Sequence, residues 1–304
     1  MDFLNSLPGA AAQGLIWGFV AIGVYISYKI LDIPDMTVDG SICTGAFTFA
    51  AMLALGLPTW VCMLAAAVAG ALAGAFTGII HTVLGIPAIL AGILTQLALY
   101  SVNVTILDGE SLAIIPFDAN VLLRMREIPA AILFSGALVG VLIVCLWLFF
   151  YTEVGLTLKS TGDNPDMSRA QGINVNFNKV LGLALSNAIV GLAGAMYVQY
   201  FGSMGLGDGR GAIVIGLAAI FIGLSVSLKI LPNFVVSLIG VVFGSIVYFV
   251  IFTLAMLLGM KTDFLKMFSA AIVILFIGVP YVKQNYFGKK RIPALPKTGG
   301  DENA

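Results

Sequence analysis

Residues Ile132–Tyr151 read ILFSGALVGVLIVCLWLFFY, twenty positions without one charged side chain. A helix needs about 20 apolar residues to cross about 30 Å of hydrocarbon. A transmembrane β-strand would instead alternate apolar and polar residues over about ten positions, and neither this block nor Val61–Ile80 does so. The stretch therefore predicts a membrane-spanning helix.

The whole chain has the composition that this block predicts. Of its 304 residues, 60% are hydrophobic and only 10% are charged, more apolar surface than a soluble globule can hide. Its 15 basic and 15 acidic residues cancel, so bulk charge gives no sign of nucleic acid. Cys43, Cys62 and Cys145 lie inside apolar blocks and, with the single His81, predict neither a disulfide nor a metal site. We expect an all-α integral membrane protein.

The apolar blocks predict about nine spans, with eight or ten left open. They cover approximately residues 10–31, 41–57, 59–81, 87–107, 128–151, 178–201, 211–229, 232–258 and 264–282. These form one polytopic domain, 1–282, followed by a polar, basic tail, 283–304, predicted to be cytoplasmic and disordered. The basic residues of the tail place the C-terminus inside by the positive-inside rule, and the N-terminus then lies outside.

A faint repeat separates the chain into two halves. Span one is followed by Asp39-Gly40, and span six by Asp208-Gly209. Because the two sites are five spans apart, the halves would have opposite membrane orientation, as in inverted-topology transporter repeats. Two Asp-Gly pairs can also arise by chance, so both interpretations stay open here.

One long hydrophilic segment, 152–177, interrupts the spans and is predicted to be cytoplasmic. Thr161-Gly162 offers a bend and a helix start, Asp163 or Asn164 can cap a short helix, and Pro165 suits its first turn. We expect a helix over 166–171, ended by Gly172. An ordinary capped surface helix is the alternative to a functional one.

This segment resembles the ATPase-coupling loop of permease subunits in the branched-chain amino acid and ribose group of ATP-binding-cassette (ABC) importers. The similarity rests on Thr161–Pro165 followed by Gly172–Val175, and extends to Leu84–Thr95 and Gly191–Gly202. Ile33–Gly45 matches neither the sugar nor the amino-acid pattern of the group, and the overall pattern is most similar to tryptophan and tyrosine permeases. The resemblance implies that the ATPase contacts Thr161, Gly162, Asp163, Asn164, Pro165, Arg169, Gly172 and Ile173.

Polar residues inside or beside the spans are candidates for the substrate pathway. Gln96, Tyr100 and Asn103 share one face of span four, where polar groups are costly unless they face protein or water. Interhelical hydrogen bonding is an equally weighted alternative. Residues at the breaks often border transporter substrate sites, although ordinary loop ends would look alike. The remaining candidates are Asp39, Gly40, Asn187, Asp208 and Arg210.

The chain contains no set of residues typical of a catalytic site and no Gly-x-x-x-x-Gly-Lys-Ser/Thr motif. We therefore expect no enzyme activity and no cofactor in this chain. The resemblance implies an importer subunit in the bacterial inner membrane for a small solute, an amino acid and possibly an aromatic one. It also implies partners: ABC ATPases that bind ATP and Mg²⁺, an external substrate-binding protein, a second permease copy and lipid. A sugar or nucleoside ABC permease, an ion-coupled secondary transporter and a structural scaffold are the alternatives.

Overall fold

The computed structural model describes residues 2–116, 119, 121–230 and 233–259, together with residues 264, 267, 268, 270–274 and 278. The predicted tail and most of the predicted ninth span lie outside these residues. The helices are α1 (Asp2–Val24, continued by a π-helical segment, Tyr25–Ile30), α2 (Val38–Ala54), α3 (Thr59–Val83), α4 (Ala88–Ile106), α5 (Ile128–Tyr151), α6 (Glu153–Asp163), α7 (Pro165–Ala170), α8 (Val175–Phe201), α9 (Ala212–Ile230) and α10 (Phe234–Leu257). Strands β1 (Leu112–Ile114) and β2 (Ser203–Gly205) pair antiparallel.

Six helices in the described part of the chain are long and apolar enough to cross a membrane. They are Ser6–Ile30, α3, α4, α5, α8 and α10. The predicted spans 41–57 and 211–229 correspond to shorter apolar helices, Val38–Ala54 and Ala212–Ser225. At 1.5 Å per residue, the 17 residues of α2 cover about 26 Å, less than a full hydrocarbon layer. The prediction of nine full spans is therefore matched only in part.

Glycines bring α3 and α8 into backbone contact. Gly70 packs on the Asn187 carbonyl group, and Gly78 packs on Val180. Higher residue numbers on α3 contact lower residue numbers on α8, so the two helices are antiparallel. Small residues at this seam let the backbones approach closely, which is how helices associate in lipid.

The long helices α1 and α8 are also antiparallel, and each is followed by a helix break. Ser186 Oγ donates to the Gly23 carbonyl oxygen at 2.7 Å, and Gly182 packs against Leu31, the residue that follows the π-helical segment. A non-helical segment, 31–37, separates α1 from α2, and another, 206–211, lies between β2 and α9. Each of the two antiparallel helices α1 and α8 is thus followed by a non-helical segment and then by a shorter apolar helix, α2 or α9.

The core lies around α1 and α8, and α5 is peripheral. Over an apolar segment of 18 residues, 78% of the Ser6–Ile30 span is buried inside the protein. The corresponding share for α5 is 22%. Large apolar side chains such as Leu64, Leu72 and Leu133 point outward from α3 and α5. Such apolar helix faces fit a hydrocarbon environment.

Candidate functional site

A cavity of about 420 Å³ lies between the start of α2, the face of α4 and the turn before α9. It brings together six of the eight predicted pathway residues: Asp39, Gly40, Gln96, Tyr100, Asn103 and Arg210. The other lining residues, which the sequence did not single out, are Cys43, Ile93, Leu97 and Leu206. Polar groups from three separate elements therefore meet in one space with apolar walls.

The α4 side of the cavity follows from helical spacing and from one close approach. Gln96, Tyr100 and Asn103 lie one and two turns apart on the same face. Gly40 lets α2 lie against this face, because a Cβ atom there would be 3.4 Å from Gln96 Cα and 3.0 Å from Leu99 Cδ1. Asn103 is 1% exposed, and its Oδ1 has no hydrogen-bond partner among the described residues.

Asp39 joins α2 to the start of α9 at the cavity wall. It was predicted to lie in a helix break, but it lies in the first turn of α2, which begins at Val38. The backbone N–H of Gly211 donates to its Oδ2 at 2.8 Å, and that of Ile213 donates to Oδ1 at 3.0 Å. The carboxylate thus caps the start of α9, where free N–H groups and the helix dipole favour negative charge.

Two predicted pathway residues do not line the cavity. Asp208 is exposed, and its Oδ2 accepts a hydrogen bond from the Gly205 backbone N–H at 2.8 Å, within the turn before α9. Asn187 is buried in the α3–α8 seam and donates from Nδ2 to Asp35 Oδ2 at 2.6 Å and to the Leu183 carbonyl oxygen at 2.9 Å. Asn187 therefore holds the 31–37 segment to α8.

The hydrophilic segment forms two helices, α6 and α7, which we call the α6–α7 platform (Glu153–Ala170). Asn164 is the residue that caps α7, because its Oδ1 accepts from the Met167 N–H at 3.0 Å. Pro165 opens the helix, and Gly172 follows it with φ of 81°, a left-handed conformation that suits glycine. The helix predicted for 166–171 is close to the observed Pro165–Ala170.

The predicted bend at Thr161-Gly162 is wrong. Both residues lie in the last turns of α6, where Gly162 packs directly on the Ile30 backbone and Thr161 is buried. Asn178 Nδ2 donates to Thr161 Oγ1 at 2.9 Å. These two residues therefore anchor the platform to α1 and α8. Among the predicted coupling residues, Asp163, Asn164 and Arg169 of the platform and Gly172 just after it are exposed, while Pro165 and Ile173 are half-buried.

The chain matches the family described as branched-chain amino acid transport system / permease component over residues 7–277. It belongs to this family of ABC permeases. It is 36% identical over 274 residues to the tyrosine transport system permease protein of Clostridioides difficile, covering 90% of this chain and 91% of that one. It is 27% identical over 220 residues to the autoinducer 2 import system permease protein LsrC of Yersinia pestis, covering 70% and 60% of the two chains. No solved structure matches.

The resemblance read from the sequence is confirmed by this match, and so is the location: the permease is a multi-pass protein of the bacterial inner membrane. As an ABC permease it is a component of a transport system, and membership implies association with ATPase and substrate-binding subunits. Among the residues that the structure describes, no three His, Cys, Asp or Glu side chains are grouped as a metal site requires.

The sequence analysis did not predict the residues of the permease that link one secondary-structure element to another. Ser160 and Ser168 hydroxyls lie 2.7 Å apart and join α6 to α7. Their spacing of eight residues spans a helix break, so no single-helix periodicity could have paired them. Cys43 was considered only for a disulfide or a metal site, yet its position one turn beyond Gly40 on α2 is a signal that could have placed it at the cavity.

Proposed function

We propose that this permease forms the translocation path of an ABC importer for an amino acid, and that separate ATPases drive it by docking on the α6–α7 platform. The observation that carries the proposal is that the platform exposes one side and is fixed to the transmembrane helices by the other. The ATPases would bind ATP and Mg²⁺, so this chain needs no cofactor. An external binding protein would deliver the substrate.

The platform is built to transmit force rather than to flex. Thr161 is hydrogen-bonded to Asn178 at the start of α8, and Gly162 lies against the end of the α1 span. Close by on α8, Lys179 Nζ lies 3.3 Å from His81 Nε2, while His81 Nδ1 lies 2.8 Å from the Ile86 carbonyl oxygen. Because Nδ1 must donate to that carbonyl, Nε2 accepts from the lysine, which ties α8 to α3.

Helix α8 offers a direct mechanical link from the platform to the cavity. Its 27 residues extend about 40 Å, beginning beside Thr161 and ending at β2, just before the cavity residues Leu206 and Arg210. A shift of the platform would therefore move the turn before α9, the helix whose start is capped by the Asp39 carboxylate. We infer that ATPase closure changes the shape of the cavity by this route.

We further propose that α1–α2 and α8–α9 are the inverted halves of a transporter repeat, with the path between them. Their antiparallel course and their matching breaks support this. Helix breaks expose backbone groups that are tolerated at membrane depth only beside a cavity or within protein. A second permease copy would complete the path, pairing through outward apolar faces that otherwise meet lipid.

Amino acids are the substrate class that we favour. The relative from C. difficile is named for tyrosine transport, and it covers nearly the whole chain. The relative named for autoinducer 2 import is more distant, so a sugar-like substrate is the weaker alternative. For an ion-coupled mechanism the described part of the chain offers the buried Asp35, but its carboxylate is already hydrogen-bonded by Asn187 and Thr37.

Charge reversal on the platform tests this proposal. Asp163 is exposed at the end of α6, so Asp163→Lys should abolish both ATPase co-purification and substrate-stimulated ATP hydrolysis without affecting insertion. Asp163→Asn is the matched control, because it keeps the size of the side chain and should retain part of the stimulation. Normal ATPase recovery and normal stimulation in Asp163→Lys would show that the platform is not the docking site.

The orientation can be tested independently with single cysteines at Glu110 and Asp166 in a cysteine-free background. Both residues are exposed, and they lie in the loop before β1 and on α7. An impermeant maleimide on intact cells should label position 110 and leave position 166 unlabelled until the membrane is opened. The reverse pattern would place the platform outside and exclude ATPase docking there.

A further inference from the structure

We propose that the cavity is a recognition site for a free α-amino acid, in which Asn103 receives the ammonium group and Arg210 receives the carboxylate. The permease would then select its substrate itself, in addition to the external binding protein. This inference rests on the proposed function, because it assigns the substrate contacts of the same path.

Asn103 is the first observation, because the residue lines the cavity and its side-chain carbonyl has no partner among the described residues. The residue is 1% exposed, and Oδ1 has no hydrogen bond among the described residues. Buried carbonyl oxygens are nearly always satisfied, so an orphan on a cavity wall indicates a donor that arrives with the ligand. An ammonium group supplies up to three such donors.

Asp39, which also lines the cavity, supports the binding of an ammonium group. Its two oxygens each accept one backbone N–H, from Gly211 and Ile213. A carboxylate has about four acceptor positions, so both oxygens keep capacity for a further donor. The positive end of the α9 dipole balances part of the Asp39 charge. The site can therefore bind a cation without being strongly anionic.

Arg210 is the cation suited to the carboxylate. It lines the cavity, its side chain is exposed, and it makes no ion pair within the described part of the chain. A guanidinium group binds a carboxylate with two parallel hydrogen bonds, which gives orientation as well as attraction. Because Asp39 and Arg210 reach the cavity from different elements, the two charged ends of a zwitterion have separate partners.

The remaining wall is largely apolar and accepts the side chain of the amino acid. The apolar lining residues are Ile93, Leu97 and Leu206, and Gly40, Cys43, Gln96 and Tyr100 complete the wall. The cavity volume of about 420 Å³ lies in the range of roughly 300–1,000 Å³ that is usual for small-molecule sites. A hydrophobic or aromatic amino acid fits this combination of charge and surface.

The test uses the purified permease in nanodiscs, without the binding protein, so that only its own selectivity is read. The reporter is Leu97→Cys with the three native cysteines replaced, and the readout is the rate of maleimide labelling. The probes are L-tyrosine, tyramine, which lacks the carboxylate, and 3-(4-hydroxyphenyl)propionate, which lacks the ammonium. We expect L-tyrosine to slow labelling at a concentration at least tenfold below either analogue.

Two variants assign the groups. Arg210→Gln should remove the advantage of L-tyrosine over tyramine, and Asn103→Leu should remove its advantage over the propionate. Asn103→Leu deletes an unsatisfied polar group, so its melting temperature should not fall. Arg126→Gln is the control, because Arg126 is exposed and lies outside the cavity; its discrimination should equal that of the parent.

Equal protection by all three probes, no protection by any of them, or unchanged discrimination in both variants would overturn the inference. The proposed function is tested by a different measurement, and unchanged ATPase recovery and stimulation in Asp163→Lys would contradict it. Loss of stimulation in Asp163→Lys without protection at Leu97→Cys would therefore reject the recognition site and leave the importer assignment standing.

Discussion

Removing the cap of α7 should uncouple the ATPase from transport, because this short helix has little else to hold it. A six-residue helix is unstable by itself. Its first turn depends on Asn164 Oδ1, which accepts from the Met167 N–H at 3.0 Å, and its inner face depends on the 2.7 Å contact between the Ser160 and Ser168 hydroxyls.

The magnitude follows from these two hydrogen bonds. Loss of an N-cap costs about 1 kcal/mol, and loss of a side-chain hydrogen bond costs about the same. Asn164→Ala should shift the equilibrium about fivefold towards a frayed α7, and Asn164→Ala with Ser168→Ala should shift it roughly thirtyfold. Asn164→Ser keeps a capping oxygen and should stay close to the parent.

The assay is substrate-stimulated ATP hydrolysis by the full complex in proteoliposomes, compared at equal permease content. We expect the order parent, Asn164→Ser, Asn164→Ala, double variant, with the double variant losing most of its stimulation. Wild-type stimulation in the double variant would refute the reasoning that an ordered α7 is needed. Equal loss in Asn164→Ser and Asn164→Ala would instead show that the amide itself contacts the ATPase, so capping would not be the cause.

Three further changes test the packing. Gly70→Ala should destabilise the purified permease by about 1–3 kcal/mol in thermal unfolding, since its Cβ would overlap the Asn187 carbonyl group. Gly140→Ala is the control: it has open space around it and should be neutral or stabilising. Asn187→Leu should cost about 1–3 kcal/mol in the same measurement by leaving the buried Asp35 without its 2.6 Å donor, and adding Asp35→Leu should recover part of this loss. Gly172→Val should lower ATPase stimulation because its φ of 81° disfavours β-branched residues, while Gly172→Asn should keep more of it; equal stimulation in the two variants would argue against backbone strain.

Patterns that depend on neighbours in the chain were readable from the sequence. Apolar blocks of sufficient length specify membrane helices, because the bilayer leaves no other way to satisfy the backbone. The shared face of Gln96, Tyr100 and Asn103 follows from helical spacing, and all three line the cavity. The capping of α7 by Asn164 follows from side-chain chemistry within three residues.

Local signals failed where packing outweighed them. Thr161-Gly162 suggested a bend because glycine weakens helices, but Gly162 is the residue that lets α6 lie on the Ile30 backbone, and contact with α1 keeps it helical. Asp39 suggested a break, yet in the first turn of α2 its carboxylate can reach the start of α9.

The sequence by itself determined a helical membrane protein of the permease family, the short capped helix and the polar face of α4. Only the tertiary structure decided that Asp39 caps a helix 172 positions away, that Asn187 pairs with Asp35 instead of lining the cavity, and that Arg210 and Asn103 share one space. The physical reason is that these contacts depend on how closely glycine seams bring distant helices together, and that distance is set by the whole packing rather than by any local pattern.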